Sequence, residues 1–167
     1  MEKLILQSSK LHSLKESENI ELGELNFDLS QFNIPKSMLI QKDGVSARIE
    51  KMKNSVGEFV ETGKMTLSFK VFDRPFIELL LHNGSTEIGS PIIVVIEGQD
   101  ALPNLDSYEE GEFIPISFTG LKVRPRKVQK KAFVGQGKSM VDIWQYAELK
   151  VEAESYFIGE KNEPKAK

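Results

Sequence analysis

The sequence predicts an all-β protein, a small Greek-key barrel of the oligonucleotide-binding type with extended loops. Three observations lead there. Apolar residues recur at nearly every second position over much of the chain, the period of a half-buried strand. Turn-forming clusters punctuate the sequence at short intervals, and no sustained alternation of strands with long amphipathic helices appears. One long strand also slips in phase, a sign of strong curvature, and small barrels of this type are closed from curved sheets.

The clearest strand is Lys64 to Phe72, where Met65, Leu67, Phe69 and Val71 face one way and Lys64, Thr66, Ser68 and Lys70 the other. Val45 to Lys53 alternates similarly and is predicted to be its antiparallel hairpin partner, across a loop containing Asn54, Ser55 and Gly57. Phe76 to Leu81 is read as a short buried strand. Pro91 to Glu97, rich in β-branched residues from Ile92 to Ile96, is read as a strand buried on both faces. The acidic stretch Gly98 to Gly111 is expected to be a loop with at most one helical turn.

From Phe113 onward Ile114, Ile116 and Phe118 share a face, but after Gly120 the apolar residues Leu121 and Val123 fall at odd positions. A β-bulge at Thr119-Gly120 would restore one core face, with Phe118 in the core and Lys122 and Arg124 pointing away from it. The last strand, Asp142 to Phe157, places Ala147, Leu149, Val151 and Ala153 on a core face and Trp144 and Tyr146 on the other. A second bulge near Ala147 would instead turn Trp144 and Tyr146 inward. Near the N-terminus Leu25, Phe27 and Leu29 suggest a strand, Ser30 to Pro35 a turn, and Met38 to Gln41 a further short strand. Residues 1–158 are thus expected to form one domain, with 1–35 as an N-terminal strand and extension, and 159–167 as a disordered tail.

Composition narrows function. The 167 residues are 40% hydrophobic and 28% charged, with no cysteine, so neither a disulfide framework nor a thiolate metal site is available. A cytoplasmic location is expected, since no signal peptide is read at the N-terminus and no apolar run approaches the roughly 20 residues of a membrane helix. His12 and His82 show no metal-ligand spacing, and no nucleophile has a histidine base in sight, so neither an enzyme nor a cofactor site is predicted. Gly135-Gln136-Gly137-Lys138-Ser139 resembles the end of a phosphate-binding loop, but the first glycine that motif needs falls on Ala132.

Charge is distributed unevenly around a net of −3. Glu97, Asp100, Asp106, Glu109, Glu110 and Glu112 have no basic residue among them, whereas Lys122, Arg124, Arg126, Lys127, Lys130, Lys131 and Lys138 have no acid among them. Two readings of the basic segment stand. It is a solvated face that keeps the protein dispersed or pairs with the acidic loop, or it is a track for DNA phosphates. In the second reading Phe133, Trp144 and Tyr146 supply stacking faces for bases.

Leu22-Gly23-Glu24-Leu25-Asn26-Phe27, Gly63-Lys64-Met65-Thr66-Leu67-Ser68, and the pair of segments Glu112 to Arg126 and Glu148 to Ala153 resemble blocks of the YdcP-like helicase-processivity family of Gram-positive conjugative transposons and plasmids. The resemblance spans about half the chain. It implies an oligonucleotide-binding-like barrel that binds DNA without strong sequence preference and assists a helicase or relaxase. The chain departs from the small family members by extra residues at about 32–63 and by its basic loop.

Overall fold

In a computed structural model, residues 25–133 and 140–160 are described, with the side chains of Ala132 and Phe133 left aside. The protein is mainly β. The strands are β1 (Met38–Ile40), β2 (Val45–Lys53), β3 (Phe59–Asp73), β4 (Ile92–Gln99), β5 (Ile114–Thr119), β6 (Lys122–Phe133), β7 (Met140–Glu152) and β8 (Ser155–Ile158), with one helix, α1 (Arg74–His82). Two compact units are formed, the first from 25–33, 122–133 and 140–151, the second from 34–121 and 152–160. Among the described residues no helix is long and apolar enough to cross a membrane.

The second unit is organised around β3. Its strand order is β4-β3-β1-β5-β8, and β2 also pairs with β3. Both β1 and β2 lie on the edge of β3 opposite β4, with Leu39 against Phe72 and Val45 against Phe69. Six residue steps on one strand therefore face three on the other. The excess is taken up in a 3-10 turn at Lys42–Gly44, which frees β1 to pair onward with β5. The expected hairpin of β2 with β3 is present, but β3 begins at Phe59 and runs through Gly63. There the register shifts between Ile49 and Lys51, and Gly63, at φ 77°, supplies the left-handed conformation that a bulge of this kind requires.

Leu67, Phe69 and Val71 of β3 are buried, as the alternation predicts. Phe69 packs its ring 5.5 Å from Phe118 and 5.0 Å from Tyr156. Val94, Ile96, Ile114, Ile116 and Ile40 complete the core. On the opposite face of β3, Thr66 is buried as well because its hydroxyl donates to Glu50 Oε1 at 2.9 Å. The same oxygen accepts the Gly98 amide at 2.7 Å. These two hydrogen bonds, the amide first, hold the Glu50 carboxyl below the usual carboxylate range.

Four expectations are corrected. Phe76 to Leu81 is helical, because Pro75 sits in the first turn, where its missing N–H costs nothing, and Glu78, Leu79, Leu80 and Leu81 are good helix formers. Only Ile77 of that helix is fully buried. β4 is buried on one face, with Ile93 exposed. The strand read across Thr119-Gly120 is two strands separated at Gly120 and Leu121, with Gly120 at φ 64°, so the phase slip marks a strand end. The last strand is likewise divided into β7 and β8. Between them the Ala153 amide donates to Val95 O at 3.0 Å and the Glu154 amide to Thr119 O at 2.9 Å, linking this segment to both β4 and the end of β5. Leu25, Phe27 and Leu29 form no strand either, only a single bridge from Phe27 to Val123 and a 3-10 turn at Leu29–Gln31.

Phe69→Ala is expected to cost about 3–5 kcal/mol in chemical denaturation, as for other fully enclosed aromatics. Glu50 is depressed in the folded state, so its contribution is present above the ordinary value of 4.5 and is lost as pH falls through the folded value. Glu50→Gln should lower the melting temperature at neutral pH, with the difference from wild type shrinking in acid. An equal difference at pH 7 and pH 3 would contradict this assignment.

Candidate nucleic-acid interface

The first unit presents the sequence-predicted basic segment on β6, hydrogen-bonded to its neighbour β7. At its base the Phe27 amide donates to Val123 O at 2.9 Å, and Leu25 and Val123 are buried. Val123 is the one β6 or β7 residue among those described that is fully buried. Alternation about it leaves Lys122 and Arg124 half-buried. Arg124 Nε donates to Asn26 Oδ1 at 2.8 Å, an anchor that nothing in the sequence pattern announces. These two cations form the root of the patch.

Arg126, Lys127, Lys130 and Lys131 are exposed. Arg126 Nη1 lies 3.9 Å from Glu148 Oε2, with both side chains more than half exposed, so the pair is weakly held and screened by salt. Lys127 Nζ lies 5.1 Å from the centroid of the Tyr146 ring, a cation–π contact. Arg126 and Lys127 are consecutive, whereas their partners Glu148 and Tyr146 are two apart in descending order. That is the sense of an antiparallel pair with one extra residue, Ala147, on β7, the count of a β-bulge. It falls beside Pro125, a residue that strands accept only at edges and bulges.

Trp144 is 67% exposed and Tyr146 half-buried, so the indole faces water. Leu149, expected in the core, is 51% exposed, and Met140, Val141 and Ile143 are exposed too. The alternation of β7 is that of a half-buried strand, but its apolar face is not covered along this length. Among the sequence-predicted site residues the structure thus brings together Arg126, Lys127, Lys130, Lys131, Trp144 and Tyr146 on one pair of strands. Lys122 and Arg124 sit at its root. Phe133 ends β6 with its side chain undescribed, and Lys138 lies outside the described residues.

Over the described β6 and β7 residues seven basic side chains face three acidic ones, the reverse of the balance of the chain as a whole. Among the described residues no group of three or more His, Asp or Glu is placed to hold a metal. Comparison with family models, curated proteins and solved structures finds no match to this chain.

Intrinsic fluorescence, which reports a single indole, is expected to show the red-shifted emission of a water-exposed tryptophan and efficient quenching by iodide. Blue-shifted, quencher-resistant emission would contradict the exposure of Trp144.

Proposed function

We propose that this protein binds DNA through the β6–β7 ribbon, with a preference for single strands and little preference for sequence, and catalyses no reaction. The observation that carries the reading is the exposure of Arg126, Lys127, Lys130 and Lys131 beside an exposed Trp144 in a chain whose net charge is −3. Each phosphate neutralised by these side chains releases counterions, giving salt-sensitive affinity independent of sequence. Stacking on an exposed aromatic adds roughly 1–3 kcal/mol per base and needs unpaired bases. The cation–π contact of Lys127 with Tyr146 keeps that ammonium at the ribbon surface.

The resemblance to the YdcP-like family gives the setting: an accessory factor of a conjugative element, acting in the cytoplasm, that assists a helicase or relaxase during DNA processing. A barrel of the oligonucleotide-binding type is part of the same proposal. It is supported by the sharing of β3 between two sets of partners and by the backbone bonds that join Ala153 and Glu154 to Val95 and Thr119.

A second reading, a protein-interaction module of the transfer machinery, is favoured by exposed Val141, Ile143 and Leu149, which phosphates do not use. The acidic Glu97 to Glu112 segment and the basic ribbon would be its docking surfaces. Titration of an oligothymidine at low and moderate salt separates the readings. DNA binding predicts quenching of Trp144 and a salt slope of about −0.7 per phosphate contacted. Lys130→Ala and Lys131→Ala are each expected to reduce that slope by roughly one unit or less. No binding at low salt removes the DNA reading, and loss of a protein partner on charge reversal at Arg126 and Lys130 with unchanged DNA affinity favours the second.

A further inference from the structure

The outer edge of β2 has a composition that matches itself. β2 pairs with β3 alone among the described strands, which leaves the backbone of Val45–Lys53 on its other side without a strand. Natural edges are blunted by proline, by shortness or by like charges that repel a second strand. This one has nine residues, no proline and charges of both signs, and the ribbon it belongs to exposes Ile49, Met52, Val56, Phe59 and Val60. Such a run of apolar side chains on a two-stranded ribbon marks an interaction surface.

We infer that this edge is the interface of a two-fold dimer, in which β2 pairs antiparallel with β2 of a second copy. A two-fold axis relating antiparallel neighbours stands perpendicular to the sheet, so paired residues share a face and the axis passes through one residue position. Placing it on Arg48, Glu50 or Lys51 sets each of those charges against itself, which destabilises a pair. With the axis on Ile49, the midpoint of β2, the whole strand pairs with its copy. Ile49 meets Ile49, Arg48 meets Glu50, Ala47 meets Lys51 and Val45 meets Lys53, with no like charges opposite. Glu50 Oε1 takes both of its hydrogen bonds, from Thr66 and Gly98, which holds the carboxylate in place on that face for Arg48 of the copy. Each dimer would carry two β6–β7 ribbons. The inference does not depend on what those ribbons bind.

The test is sedimentation equilibrium combined with cross-linking at chosen positions. The protein is expected to show roughly twice its 18.9 kDa monomer mass, and Ile49→Lys, which sets like charges on the axis, to restore the monomer with an unchanged circular dichroism spectrum. Because the chain has no cysteine, Ile49→Cys alone should give an intermolecular disulfide on mild oxidation. Glu50→Cys and Lys51→Cys alone should not, and Ala47→Cys should link to Lys51→Cys when the two are mixed. A monomer at all concentrations up to hundreds of micromolar overturns the inference, as does a dimer that survives Ile49→Lys or links through another position. Should Ile49→Lys fail to fold, the cysteine set decides alone.

Discussion

One strand carries the second unit. β3 gives its edges to three partners, β2 and β1 on one side and β4 on the other, and its inward residues Leu67, Phe69 and Val71 are the centre of the buried core. Serving two sets of partners requires strong twist and coiling, which right-handed strands accommodate only where bulges and turns release the register. The two interruptions lie where that need is greatest: the bulge at Gly63, and the 3-10 turn at Lys42–Gly44 that lets β1 leave the line of β2. Phe69, between Phe118 of β5 and Tyr156 of β8, ties the far strands to the central one.

The division of labour between buried and exposed residues follows. Apolar burial in the second unit is concentrated on β1, the inner half of β3, β4 and β5. The outer half of the β2–β3 ribbon and most of β6 and β7 are exposed. A two-stranded ribbon has little hydrophobic stabilisation of its own, so its surface composition is set by what it touches. On β6 that composition is cationic and on the β2–β3 ribbon it is mixed and apolar, which is why the two are assigned different kinds of partner.

Much of the architecture was legible where burial follows a simple period. Alternation located β3, its hairpin with β2, and the short β1, because each has one face in the core. It failed at Phe76 to Leu81, where the apolar residues outnumber those the fold buries and Pro75 at the start of the helix was a better signal than the run itself. It failed again at Gly120, where a change of phase meant a strand end rather than a bulge, and at Leu149, whose face is not covered. The cationic patch was legible from charge alone. Asn26, which holds Arg124, and Glu148, which faces Arg126, were not, since both depend on pairing between segments distant in sequence or on cross-strand register. The exposure of Trp144 could be settled only by that register.

The most direct test of the account is hydrogen–deuterium exchange of the full chain with and without a single-stranded oligonucleotide at low salt. Protection of backbone amides confined to β6 and β7, and abolished as salt rises, is the expected result. Protection confined to residues 34–121, or none at all with oligonucleotide demonstrably in excess, would contradict it.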